Sequence, residues 1–335
     1  LSRTRLSPCP KVSVTPFPVG AIVSGIKSVS GAHVLGCTSS AAICVKDGYL
    51  NAATGYSGIM SFGGDVEVGV AGSEKTFESA REIGARLARE AMRELNGKKP
   101  SYFFMTASPK EEEDYILGVQ DVVGNIPVFG GSAADNTVEG KWSIICDDKI
   151  FADGCAICLF ATEDKMVNIY NGQYHETENV GIMTKVVNDR TLVTIDGVPA
   201  VTKYCEWTGK TEEEVAGGNL LAATIFDPLG VKDITGRVTA VRHPMAANED
   251  NSMNIGARLI EKTACVQLHL DPEEMVAANP KTIEELDAFI NNDNLQKAEL
   301  RTRLAEIVKK FGDDRRTELA QIDIPKDKEE KKIGK

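Results

Sequence analysis

The sequence predicts an α/β protein, with mixed sheets, flanking helices and an α+β alternative, arranged as two lobes and a helical C-terminal arm. Three observations carry this. Apolar strand-like runs alternate with helix-period segments up to about residue 130. The stretch from about 140 to 200 is strand-rich, which dilutes the alternation into a mixed sheet. From Gln296 onward the glycine and β-branched texture of the body gives way to Lys, Arg, Glu and Leu.

The elements follow in order. Prolines at 10, 16 and 18 make the first 18 residues extended. AHVLGCTS (32–39) is a strand running into a turn of small residues. In IMSFGGDVEVGVAG (59–72), Val66, Val68 and Val70 alternate onto one strand face. Residues 74–95 read as a helix, with Phe77, Ile83, Leu87, Ala91 and Leu95 at helical spacing and Asn96-Gly97 as the stop. SYFFMTAS (101–108) is a strand, and 111–123 a helix with acids in its first turn, where the dipole favours them. IPVFGGSAADN (126–136) is a strand and a Gly-rich turn; KIFADGCAICLFA and KMVNIYNG continue as strands. Residues 186–209 read as strand, Asp-Gly turn and a helix opening near Pro199. TEEEVA (211–216) opens a further helix through a Thr211/Glu214 capping box. TGRVTAVRHPM, SMNIGARLI and ACVQLHL read as strands of a second sheet.

Composition narrows the function. The chain has 335 residues, 42% hydrophobic and 26% charged, enough for about two domains with proper cores. Its net charge of −11 argues against nucleic acid as a partner. No apolar run approaches the ~18 residues of a membrane-spanning helix. Eight cysteines lie mostly in apolar segments, as expected of reduced thiols inside a cell. Cys155 and Cys158 form a CxxC with no second pair or histidine close in sequence, and on a strand they point to opposite faces. Buried thiols are therefore expected rather than a metal site. The stretch before Asp47 has five basic residues, no acid and many serines, which resembles the end of an organellar transit peptide; the alternative is that residue 1 is an arbitrary boundary within a longer chain. The expected setting is soluble and intracellular, either cytoplasmic or organellar (plastid stroma or mitochondrial matrix).

Four features stand out as candidate sites. Gly36-Cys37-Thr38-Ser39-Ser40 and Gly130-Gly131-Ser132-Ala133-Ala134-Asp135 follow apolar strands, where Gly/Ser turns let backbone amides approach a ligand. The others are Asp196-Gly197-Val198-Pro199-Ala200 and Arg242-His243-Pro244. In this order they stand as VLGCTSS, IPVFGGSAAD, VTIDGVPAV and VRHPM…MNIGARLIE, and together they resemble the FIST sensory-domain family over about residues 20–279. The resemblance divides the chain into an extended segment 1–19, an N-terminal FIST-like domain 20–193, a C-terminal FIST-like domain 194–279 and a tail 280–335. It implies a non-catalytic sensor of a small ligand or protein partner, as in relatives joined to signalling output domains or to an F-box. The ligand set it implies is Gly36, Cys37, Thr38, Ser39, Gly130, Gly131, Ser132, Asp135, Arg242 and His243. No cofactor and no metal is expected, although some members of the family are reported to bind haem.

Each residue also has a structural reading. Asp135 either contacts a ligand or caps its own turn. Arg242 either pairs with an anionic ligand or makes a structural ion pair. Cys37, with one of His33, His175, His243 or His269 as base, is the one opening for a thiol enzyme; a thiol packed under the turn is the plainer reading. His269 alternates with Val266 and Leu268, as a structural histidine does. Signatures of serine hydrolases, P-loop NTPases, zinc proteases and dinucleotide-binding folds are missing.

The tail 296–335 holds 12 basic and 9 acidic residues, net +3, which leaves 26 basic and 40 acidic residues, net −14, in the rest. QKAELRTRLAEIVKKFGDDRRTEL is similar to the segment where the long coiled coil of the A subunit of DNA gyrase and topoisomerase IV ends. Leu300, Leu304, Ile307, Val308 and Phe311 form an apolar stripe, followed by Gly312 and by Arg315 and Arg316. The catalytic parts of that enzyme are missing, so topoisomerase activity is not expected. The stripe and Arg315/Arg316 instead suggest a structural linker docking into a larger assembly, the alternative to the sensor.

Overall fold

The computed structural model describes residues 18–40, 43–45, 48–50, 57–135, 139–164 and 174–271. The expected strand at 165–172, the N-terminal segment and the whole tail, with Leu300, Leu304, Ile307, Phe311, Arg315 and Arg316, lie outside the described residues. The chain is an α/β protein that divides into two compact units, Leu1–Asn168 and Ile169–Lys335. This is a different division from the motif boundary at 193/194.

The first unit contains α1 (Val19–Val29), β1 (Leu35–Cys37), a short hairpin of β2 (Ile43–Val45) and β3 (Gly48–Leu50), β4 (Glu67–Glu74), α2 (Ala80–Glu94) and β5 (Tyr102–Ala107). It continues with α3 (Glu112–Val123), β6 (Val128–Ser132), β7 (Ile144–Cys146), β8 (Lys149–Phe151) and β9 (Gly154–Ala161). Its main sheet has the order β4-β9-β5-β6. β9 runs antiparallel to β4 and β5, while β5 and β6 are parallel. β4, β5 and β6 therefore all point the same way. Their carboxyl ends, Glu74, Ala107 and Ser132, come to one edge of the sheet beside Gly154.

One face of the sheet is covered by α2 and α3, with Ile83, Leu87, Phe103, Tyr115, Val119 and Leu159 in the core. The two helices meet at glycines, since a Cβ on Gly118 would lie 2.0 Å from the Arg81 carbonyl oxygen. On the other face Val66, Val68 and Val70 join Tyr102 and Phe160, whose rings stack at 4.6 Å. Cys155 falls in the first cluster and Cys158 in the second, opposite faces as a strand requires. A three-stranded sheet, β1-β7-β8, accompanies the main one, with α1 packed through Val19 and Val23 against Val34 and Ile145.

The helix expected from 74 begins later. β4 continues to Glu74, paired with Gly154, and Ser79 and Glu82 close a reciprocal capping box at the true start. Ile83, Leu87, Ala91 and Leu95 are buried as expected, but Phe77 lies in the loop before the cap and is fully exposed.

The second unit contains β10 (Tyr174–Val187), β11 (Thr191–Ile195), β12 (Val198–Pro199), α4 (Ala200–Thr208), α5 (Asn219–Thr224), β13 (Leu229–Lys232), β14 (Val238–Arg242), β15 (Pro244–Ala247), β16 (Met253–Ile255) and β17 (Ala264–Leu270). The sheet order is β14-β13-β17-β10-β11-β16-β15, with β12 beside β11. β14 and β15 stand at opposite ends of that order, yet His243 alone separates them in the chain. The sheet must therefore curl until its two ends meet at His243, which reduces its free edges. Met183, Leu192, Ile195, Tyr204, Leu229, Met253 and Cys265 form the core. Around 211–216 the expected capping bonds form, with Glu214 N–H on Thr211 Oγ1 at 3.3 Å, but the segment stays a series of turns. Gly217, at φ +54°, and Gly218 break it before the short helix α5. Among the described residues no helix is long and apolar enough to cross a membrane.

Candidate functional site

The carboxyl edge of a parallel β5–β6 pair is where open α/β sheets hold ligands, because strand ends there open into loops facing helix N-termini. Both expected turns of the first unit lie there, and Thr38 ties them together. Its carbonyl accepts the Ala134 N–H at 3.0 Å. Its own N–H donates to the Ser143 carbonyl at 2.9 Å, and its Oγ1 accepts the Ser143 N–H at 2.9 Å. Thr38 is buried, so these bonds are shielded from water. Gly36 precedes it on β1, its carbonyl accepting from Thr106 Oγ1 at 3.4 Å. Ser39, half-buried, donates to the Ser40 carbonyl at 3.1 Å.

The two glycines of the second turn differ in kind. Gly130 has φ +148°, and a Cβ there would stand 1.8 Å from the Met105 carbonyl oxygen. Only glycine fits this approach of β6 to β5. Among the described residues a Cβ on Gly131 would meet nothing within 4 Å, so this glycine faces space that they leave open. Ser132 is exposed and donates to Glu112 in the first turn of α3 at 2.5 Å. The Asp135 carboxylate accepts the N–H groups of Glu139, Gly140 and Lys141 at 3.1, 2.9 and 2.9 Å. Of the two readings of Asp135, the cap is thus realised in the structure.

Cys37 and Trp142 flank this junction. Both pack against the buried cluster of Ala133, Ile144, Cys146 and Ala156. Burial alone pushes the Cys37 thiol up to about 11, so at neutral pH it is protonated. This is the opposite of what a nucleophilic cysteine needs. Trp142 precedes Ser143, the residue bonded twice to Thr38, and its indole nitrogen is buried with no hydrogen-bond partner among the described residues. Sequence reasoning passed it over, because only the Cys37–Ile144 strand register brings Trp142 beside the turns. Among the described residues no cluster of His, Cys, Asp or Glu could hold a metal ion.

Arg242 and His243 belong to the second unit, at the corner between β14 and β15. Arg242 donates from Nε to the Arg258 carbonyl at 3.0 Å and from a terminal nitrogen to the Val241 carbonyl at 3.1 Å. His243 Nδ1 lies 3.2 Å from the Thr224 carbonyl, which makes Nδ1 the protonated nitrogen. Burial lowers the His243 pKa and the Thr224 bond opposes it, so the ring is neutral at pH 7. Both residues thus brace the corner where the sheet closes. His269 pairs with Asp227 at 2.8 Å, the structural role expected of it. The Asp196-Gly197 turn forms at φ +52° and +79°, with the Asp196 carboxylate accepting the Ile182 N–H at 2.7 Å.

Comparison with known proteins adds the following. The family described as FIST N domain matches residues 12–198. An uncharacterized protein of Methanocaldococcus jannaschii, MJ1623, is 23% identical over 240 residues, which is 65% of this chain and 45% of that protein. The chain thus spans about half the length of this curated relative. Among solved structures, thiamine monophosphate kinase from Aquifex aeolicus aligns over 62% of this chain and 81% of its own, at 10% identity and a TM-score of 0.20. That score is too low to indicate a shared fold.

Proposed function

From the premise that this chain belongs to the FIST family, a sensor-type domain, we propose that it binds a small ligand in the first unit, at the carboxyl edge of β4, β5 and β6. Binding there is recognition without bond chemistry. The observation that carries this reading is the Thr38 junction: one buried residue holds two Gly/Ser turns side by side, next to the open space at Gly131. Thr38 sets the geometry, Gly130 lets β6 approach β5, and Gly131 and Ser132 line the mouth. Arg242 and His243 are left to the second unit as structural residues. We extend the same proposal to a C-terminal FIST region at 194–279 and to a partner-docking role for 280–335, both supported by sequence motifs alone.

The test is a thermal-shift screen of amino acids, nucleotides, haem and other metabolites against the wild-type chain and Gly131→Leu. Since a Cβ on Gly131 would meet no described atom within 4 Å, the leucine is expected to leave the fold intact and to fill the mouth. At least one compound should stabilise the wild type, by mass action on the native state, and fail to stabilise Gly131→Leu. A screen without any stabilising compound, or stabilisation that survives the leucine, overturns the proposal.

A further inference from the structure

The chemistry left unsatisfied around the Thr38 junction is of one kind. The obvious acceptors are engaged within the protein: Thr38 Oγ1 by Ser143, the Asp135 carboxylate by three N–H groups, and a Glu112 oxygen by Ser132. Two donors remain against one apolar cluster, the Trp142 indole N–H and the Cys37 S–H. Among the described residues the buried indole nitrogen has no hydrogen-bond partner, and Cys37 is a free thiol. A buried donor without an acceptor is costly to retain unless something supplies the acceptor. The indole N–H is a neutral donor, and Lys141, the cation beside Trp142 in the chain, is exposed and paired with Glu139. A carboxylate or phosphate would enter there unneutralised and desolvated, at high cost.

Resting on the proposed binding reading, we infer that Trp142 is a specificity-determining residue of the site, donating its indole N–H to an uncharged carbonyl oxygen of the ligand. The ligand class is therefore a small amide, ketone or lactone rather than a carboxylate, phosphate or amine. Cys37 contributes its protonated thiol as a second, weaker donor.

The test uses the full ¹⁵N-labelled chain with three matched probes: propionamide, propionate and propylammonium. Trp207→Phe identifies the Trp142 indole resonance, since the chain has two tryptophans. Propionamide should shift the Trp142 indole together with the backbone amides of Thr38, Gly131 and Ser132, and the two charged probes should not. In Trp142→Phe the propionamide affinity should fall about tenfold, the scale of one hydrogen bond to a desolvated group. Shifts at the backbone amides without the indole, or a preference for propionate, overturn the carbonyl assignment and leave the binding proposal standing. So does a failure of all three probes to shift any of these resonances, since the binding proposal is judged separately by the wider screen.

Discussion

Gly130→Ala and Gly131→Ala put one methyl on neighbouring residues of the same strand and should behave oppositely. At Gly130 the added Cβ would lie 1.8 Å from the Met105 carbonyl oxygen and 2.8 Å from its carbon, in a backbone conformation of φ +148°. The strained conformation costs about 1–3 kcal/mol. Forcing a methyl into filled space costs about 1–3 kcal/mol more. Together they give about 2–6 kcal/mol, so about 4 kcal/mol is the expected loss. For a cooperative unit of 150–250 residues this lowers Tm by roughly 8–16 °C. At Gly131 the methyl meets no described atom within 4 Å and φ is not positive, so the change should stay within about 0.5 kcal/mol. Differential scanning calorimetry reads the transition, with urea titration as a second measure. Equal melting of wild type and Gly130→Ala, or a Gly131→Ala loss as large as that of Gly130→Ala, would refute the reasoning from this β5–β6 approach.

Other outcomes follow from the same geometry. Thr38→Val leaves the Ser143 N–H without its acceptor and should cost about 1–3 kcal/mol, while Thr38→Ser keeps the bond and loses far less; equal urea midpoints for the two variants would contradict this. Asp135→Ala should raise hydrogen exchange at Glu139, Gly140 and Lys141, with Asp135→Asn restoring part of the protection; unchanged exchange would remove the cap from the account. For Cys37, iodoacetamide labelling followed by mass spectrometry should accelerate about tenfold per pH unit from neutrality towards about 11. A rate that levels off near pH 7 would mean an activated thiolate instead. The sign for stability is the same: the folded state holds this proton more tightly, so the contribution is complete below the ordinary thiol pKa of 9.0 and is lost as pH rises through about 11.

Much of the fold could be read from local pattern, because period and capping are local. The alternation of Val66, Val68 and Val70, the Asp196-Gly197 turn and the opposite faces of Cys155 and Cys158 are all realised. What failed depended on pairing between distant segments. Phe77 fits a helical stripe by spacing, but β4 holds residues up to Glu74 in the sheet and the cap at Ser79 starts the helix beyond it. Thr211 and Glu214 form their bonds, yet Gly217 and Gly218 end the segment before a helical turn repeats. The two turns of the candidate site were legible, since Gly and Ser after apolar strands signal exposed backbone. Their junction through Thr38 and Ser143 was not, because it arises from the β1–β7 register across more than a hundred residues. Trp142 was hidden for the same reason. The Arg242 bond to the Arg258 carbonyl was hidden likewise, because an arginine beside a histidine carries no mark of it.

The central claim is that the two turns joined by Thr38 form the binding surface. It is tested most directly by hydrogen–deuterium exchange on the full chain, with and without a compound that stabilises it. The account predicts slowed exchange at 36–39 and 130–135 in the wild type, and no such protection in Gly131→Leu. Protection confined to other segments, such as 242–260, with 36–39 and 130–135 unchanged, would contradict it.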